Sequence, residues 1–318
     1  MAPIYIAGTG FFVPEERITN PQLIASVNTT EEWIDSHIGI RERRRAKDED
    51  DTSALGAYAT AAACDRIGWQ RGDLDLLVCA TSTPDSLIPA TASWICKQLA
   101  IDPVAFDVNA ACSGFVYGIA TAKAMMDSLG YERVAMVTAE KYTRVTDYTD
   151  RKTCVFFGDS AGTVLMTKER PKLGFEVVDV VMENMNEGAE CVTTPIKGYF
   201  TQDGPEVKKY ALKGFTKSAT TILERNGLTP ADLYAFVGHQ ANYRVLQTVC
   251  DMLGVAESQH WHNVRDFGNQ GAAGAATTFC QKVEEHEGAL EDGAYVLSTT
   301  FGSGFTTGSA LLRVVKND

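Results

Sequence analysis

The sequence predicts an α/β fold, a five-layered αβαβα sandwich built from two duplicated halves. Three observations lead there: short apolar runs alternate with helix-period segments, one series of motifs occurs twice in the same order, and the chain is long enough to bury a large core. The alternation is clear around residues 104–109, a strand-like run followed by Phe115, Ile119, Ala122 and Met126 on one helical face. The duplication pairs the run at 73–78, ending at Cys79-Ala80-Thr81, with that at 232–237, ending at Gly238-His239-Gln240. It continues with 133–138 against 293–298, and with Phe157-Gly158-Asp159-Ser160-Ala161-Gly162 against Phe301-Gly302-Ser303-Gly304-Phe305-Thr306. Generic α/β patterning produces looser echoes of the same kind. Two copies, each a sheet covered by helices, pack most economically with the duplicated helices in the middle. The expected division is 1–170 and 171–318.

The chain has 318 residues, 45% hydrophobic and 22% charged, which indicates a globular protein with a sizeable core. Its net charge of −12 argues against nucleic acid, whose phosphates require a basic footprint. The opening residues lack a basic segment and an apolar stretch, and no run approaches the roughly 18–20 apolar residues that span a bilayer. A cytosolic location, with no membrane partner, is therefore expected. Eight cysteines are scattered without CxxC or Cys/His spacing, so neither a disulfide framework nor a metal site is indicated.

Cys112 differs from the other seven by its place. It follows the run at 104–109 and opens the helical segment beginning Cys112-Ser113-Gly114-Phe115. A thiol at a helix N-terminus feels the positive end of the macrodipole, which is expected to lower its pKa. Small neighbours, Ala110, Ala111, Ser113 and Gly114, leave room for a substrate. Taken alone, the position also reads as a buried structural cysteine.

The motifs of the second half decide between these readings. Gly238-His239-Gln240-Ala241-Asn242, then Phe267-Gly268-Asn269-Gln270-Gly271-Ala272-Ala273, then Phe301-Gly302-Ser303-Gly304-Phe305 follow the cysteine motif in order. With Glu32-Trp33-Ile34, Gly39-Ile40-Arg41-Glu42-Arg43 and Asp150-Arg151, this set resembles the class III 3-ketoacyl-acyl-carrier-protein synthases of the thiolase superfamily, from about Ile4 to Val314. The resemblance implies the thiolase fold, a homodimer, and a Cys-His-Asn triad at Cys112, His239 and Asn269. The substrates it implies are acyl groups on coenzyme A or acyl carrier protein, with no tightly bound cofactor. Cys112 would take the acyl group, with an oxyanion hole from the N–H groups of Cys112 and Ser303. Decarboxylation of a malonyl thioester would then generate the carbanion, with His239 and Asn269 donating hydrogen bonds to the enolate rather than acting as bases.

The resemblance also marks departures. Trp33 and Arg151 fall where the family flanks the adenine of coenzyme A, but His37 replaces a frequent Arg, which weakens the nucleotide grip. Asn242 would touch the pantetheine arm. The frequent Asn-Thr-Ser is Asn269-Gln270-Gly271, and Phe-Thr-Trp-Gly is Phe305-Thr306-Thr307-Gly308. At the acyl end, Ile88 stands where a Phe often reaches across the dimer, Tyr142 occupies a frequently aliphatic lining position, and Phe156 precedes Phe157. A changed primer is expected.

Lys209, Lys213 and Lys217 share one helical face beside Lys208. With Arg244 they form a candidate docking surface for an acidic acyl carrier protein; an ordinary solvated face is the alternative. Two other functions stay open at this point: acyl transfer to an alcohol or amine without decarboxylation, and a non-catalytic subunit that shapes a partner's cavity.

Overall fold

The computed structural model describes residues 2–317. Ten strands form one continuous sheet. The first half contributes β1 (Tyr5–Phe12), β2 (Leu76–Ala80), β3 (Val104–Val108), β4 (Arg133–Lys141) and β5 (Asp159–Thr167). The second contributes β6 (Leu173–Asn184), β7 (Leu233–Gly238), β8 (His260–Trp261), β9 (Tyr295–Gly302) and β10 (Thr306–Lys316). Their order is β8-β7-β9-β10-β6-β1-β5-β4-β2-β3, so each strand of one half has a counterpart five numbers on, mirrored about the antiparallel β6–β1 seam. The expected division at 170/171 falls between β5 and β6.

Helices repeat the same scheme: α1 (Thr52–Ile67), α2 (Thr91–Leu99) and α3 (Gly114–Leu129), then α4 (Gly204–Arg225), α5 (Tyr243–Leu253) and α6 (Ala273–His286). Helices α1 and α4 cover the outer faces of their own halves, whereas α3 and α6 contact strands of both. The middle layer is therefore the duplicated pair α3 and α6. The apolar stripe anticipated after Cys112 is fully buried, and burying each large side chain of this kind contributes about 1.5–3 kcal/mol. Strand β2, parallel to both neighbours, is buried along its whole length, as its unbroken apolar run requires.

The third echo is offset. Phe301 and Gly302 end β9, and the tight turn Ser303–Phe305 intervenes before β10, whereas Asp159 already begins β5. Apolar patterning aligned the Phe-Gly pairs but not the strands after them. No helix among the described residues is long and apolar enough to cross a membrane. All eight cysteines are free thiols.

At the β8 edge, His260 and His262 lie with ring centroids 4.9 Å apart, and neither ring nitrogen of His260 has a partner. Burial, aided by repulsion from His262, lowers the His260 pKa from 6.5 to about 4. As the pH falls from 6.5 towards 4, the unfolded chain takes up a proton that the native ring refuses, so stability is lost across that window. His260→Phe should therefore flatten the fall in melting temperature between pH 7 and pH 5, measured by thermal unfolding; an unchanged slope would show that His260 does not contribute.

Candidate active site

Cys112, His239 and Asn269 line one cavity of about 230 Å³. Each reaches it from the end of a duplicated element. Cys112 sits in the turn Ala111–Ser113 between β3 and α3, after Ala111 in the left-handed conformation with φ of 46°. His239 follows β7, with its N–H donating to the Thr299 carbonyl at 3.0 Å. Asn269 precedes α6, held by its N–H to the Phe156 carbonyl at 2.8 Å and its carbonyl to the Gly158 N–H at 3.0 Å. The two central helices meet here: a Cβ on Gly114 would lie 2.8 Å from that of Ala272.

Local bonding orients the two donors. The Asn269 Oδ1 accepts from the Gly271 N–H at 3.0 Å, which leaves Nδ2 to face the cavity. His239 stands edge-on to Phe301 at 4.9 Å, and its buried Nδ1 has no partner, so Nε2 is the nitrogen open to the cavity. Burial lowers the His239 pKa to about 3, and the ring is neutral at physiological pH. With its proton on Nε2, the neutral ring would join Asn269 Nδ2 as a second uncharged N–H donor beside the thiol. Gly302 passes so close that a Cβ would lie 2.7 Å from the Cys112 amide nitrogen, and Ser303 lines the cavity next to it.

The expectation of a lowered thiol pKa is overturned. Cys112 precedes α3 rather than opening it, and burial pushes the thiol up to about 12, with the nearby Glu140 carboxylate acting in the same direction and the Tyr142 hydroxyl against it. Desolvation is the largest cause of the shift.

Among the expected acyl-pocket residues, only Tyr142 lines the cavity. Phe157 lies behind it, stacked at 4.8 Å, and Phe156 packs against the same cluster. Ile88 is 86% exposed beside Leu87 at 74%, on the loop between β2 and α2 and away from the cavity of its own chain. Six lining residues carry no signal in the sequence reading: Ser82, Val207, and Val192, Thr194, Phe200 and Gln202 from a small hairpin of Val192–Thr193 with Thr201–Gln202.

Trp33 and Arg151 meet outside the cavity, the guanidinium 5.4 Å from the ring centroid, and His37 stacks on the same indole at 4.8 Å. This cluster adjoins the cavity mouth through two bonds: Asn242 Nδ2 to the His37 carbonyl at 3.1 Å, next to the lining Ala241, and the lining Gln202 to the Lys152 carbonyl at 3.5 Å. Asn242 does not itself line the cavity; its Oδ1 caps α5, accepting from the N–H groups of Arg244 and Val245.

The cationic stripe is partly neutralised. Lys209 pairs with Glu206 at 3.0 Å, Lys217 with Glu183 at 2.8 Å and Arg244 with Asp35 at 3.1 Å. Among the described residues Lys213 has no acidic partner, and it is exposed on α4, whose Val207 lines the cavity.

Comparison with known proteins identifies the family. The family model for 3-oxoacyl-(acyl-carrier-protein) synthase III matches residues 106–185, and that for the C-terminal part of the same family matches 223–314. Beta-ketoacyl-(acyl-carrier-protein) synthase III of Helicobacter pylori strain J99 is 38% identical over 316 residues, covering 94% of this chain and 95% of its own. The crystal structure of 3-oxoacyl-(acyl-carrier-protein) synthase III from Aquifex aeolicus VF5 superposes with a TM-score of 0.92 at 32% identity, covering 98% of this chain and 99% of its own. The priming beta-ketosynthase of the R1128 polyketide pathway does so with a TM-score of 0.89 at 30% identity, covering 98% and 96%. The fold and these relatives together define a thiolase-fold acyltransferase of the condensing type. More narrowly, the chain belongs to the 3-oxoacyl-(acyl-carrier-protein) synthase III family.

Proposed function

We propose that Cys112 accepts an acyl group from a coenzyme A or carrier-protein thioester and that His239 and Asn269 then drive its decarboxylative condensation with a malonyl thioester. The attack converts the thioester carbonyl into an oxyanion, and the amides of Cys112 and Ser303 are the donors for it. Loss of carbon dioxide from malonate places charge on the enolate oxygen, where His239 Nε2–H and Asn269 Nδ2–H donate. The observation that carries this reading is the pair of neutral donors sharing a cavity with the thiol. A donor that stays uncharged stabilises the enolate without protonating it, and no carboxylate base is needed because decarboxylation supplies the carbanion. The chemistry runs on thioester substrates without a resident metal or cofactor.

Trp33 and Arg151 receive the nucleotide of a coenzyme A donor. Two flat groups need about 7 Å between them to admit a base at ordinary contact distances of ~3.5 Å, so Arg151 swings outward on binding. The exposed pair Leu87 and Ile88 supports a homodimer in which this loop is covered by a second copy. The enzyme works in the cytosol and primes fatty-acid or polyketide-like synthesis.

The test is mass and gas. Incubation with a panel of acyl thioesters should add one acyl mass at Cys112, and malonyl thioester should then release carbon dioxide with condensed product. Acylation without carbon dioxide release would establish acyl transfer to another acceptor instead. For docking, Lys213→Glu should raise KM for carrier-borne malonate several-fold with kcat unchanged, and exceed Lys209→Glu because Lys209 already pairs with Glu206. Unchanged KM in both variants would remove carrier docking from this face.

A further inference from the structure

Behind the nucleophile lies a connected set of side chains that the condensation chemistry leaves unused. Cys112 Sγ is 4.0 Å from Tyr142 Oη, Tyr142 Oη is 2.8 Å from Ser82 Oγ, and Ser82 Oγ donates to Glu140 Oε1 at 2.8 Å. Counting protons fixes the direction of this chain. Ser82 has one hydroxyl proton and gives it to the carboxylate, so Tyr142 must donate to Ser82. The lone pairs of Tyr142 Oη are then what faces the thiol, and every link points from sulfur to carboxylate.

Glu140 is fully buried near the end of β4. It also accepts from the Ser82 N–H, from Thr83 Oγ1 at 2.6 Å and from the Ala272 N–H at 3.4 Å. Among the described residues no Lys, Arg or His pairs with it, and the ionisable groups that sense its charge are Cys112, Tyr142 and Cys79. Burial, opposed by those donors, raises its pKa to about 7, which suits a base at neutral pH; His239 at about 3 does not.

Tyr142 is held firmly. Its ring stacks on Phe157 at 4.8 Å and meets Phe200 edge-on at 6.3 Å. It also lies against Gly271, where a Cβ would fall well inside van der Waals contact with Tyr142 Cε2. Two departures from the family pattern that are 129 positions apart in sequence are thus one feature: the glycine makes room for the phenol.

Resting on the reading of Cys112 as the acylated nucleophile, we propose that Tyr142 is a further catalytic residue of the acyl-transfer step, conducting the thiol proton through Ser82 to Glu140. The S–H bond breaks as Tyr142 Oη takes the proton, Tyr142 passes its own to Ser82, and Ser82 passes its own to Glu140. The freed sulfur electron pair forms the new S–C bond, and collapse of the tetrahedral adduct breaks the C–S bond of the donor. The departing thiolate recovers the proton from Glu140 as the chain runs in reverse. In the proton-bearing state the same hydroxyls point towards the sulfur and stabilise the thiolate.

Tyr142→Phe removes one oxygen, and Glu140→Gln removes the base at constant shape. With the full-length protein, the rate of Cys112 acylation by a panel of acyl-coenzyme A thioesters and of its alkylation by iodoacetamide would be followed by peptide mass from pH 6 to 10. Tyr142→Phe is expected to lower acylation at pH 7 by about 10²-fold and to move the rise of alkylation to higher pH. Glu140→Gln should do the same; if it fails to fold, Ser82→Ala takes its place. Wild-type profiles in Tyr142→Phe, in a wild type that acylates normally, would overturn the relay alone. A wild-type Cys112 that gains no acyl mass from any primer would overturn the relay together with the reading beneath it.

Discussion

Cys112→Ala should gain no mass from any acyl thioester, and its condensation rate should fall at least ~10⁴-fold, because the covalent intermediate that divides the reaction is lost. Decarboxylation is expected to survive in part. The donors at His239 Nε2 and Asn269 Nδ2 are held by Thr299, Gly271, Phe156 and Gly158, none of which depends on the sulfur. A malonyl thioester should therefore still lose carbon dioxide in Cys112→Ala and yield an acetyl thioester. In His239→Ala that release should drop by about 10²–10³-fold. Quantifying carbon dioxide and product in both variants separates the two tasks; equal losses of decarboxylation in both would show that the thiol participates in it.

Gly271→Ala is expected to destabilise the protein strongly. Gly271 has φ of 56°, and the added Cβ would collide with the Tyr142 ring, which Phe157 and Phe200 prevent from retreating. Overpacking of this kind costs about 1–3 kcal/mol, and the left-handed conformation adds about 1–2 kcal/mol for a residue with a Cβ. Denaturant unfolding should show the sum. Tyr142→Leu introduced into Gly271→Ala should recover the collision component and leave the backbone one, giving a coupling energy that neither single variant predicts. Additive losses would mean that Tyr142 moves aside freely, and the ring would then not be a fixed part of the site.

Much of this architecture is legible in the sequence for physical reasons. Strands such as β2 and β7 read as apolar runs because they are buried on both faces, and α3 reads as a stripe because one face enters the middle layer. The triad is legible only through the family resemblance, since His239 and Asn269 carry no local signal that separates a donor from a strand-end or turn residue. Two features were not legible and a third only in part. The direction of the Cys112 pKa depends on weighing burial against a dipole, and burial is a property of the assembled layers. Phe200 and Gln202 come from an irregular stretch between β6 and α4 that has no periodicity to read. Glu140 did leave a sign, a lone acid near the end of the apolar run of β4, but its link to Cys112 runs through Ser82 and Tyr142 from two different strand ends.

The mirrored strand order also fixes how labour is divided within the molecule. One repeat brings the sulfur to the meeting point of α3 and α6, and the other brings the imidazole and the carboxamide. Neither repeat is a smaller enzyme: severed from its twin, each would hold half a reaction and expose the flank of a helix that the other had kept dry. Covalent continuity from β5 into β6 keeps the stoichiometry of those unlike contributions at one to one.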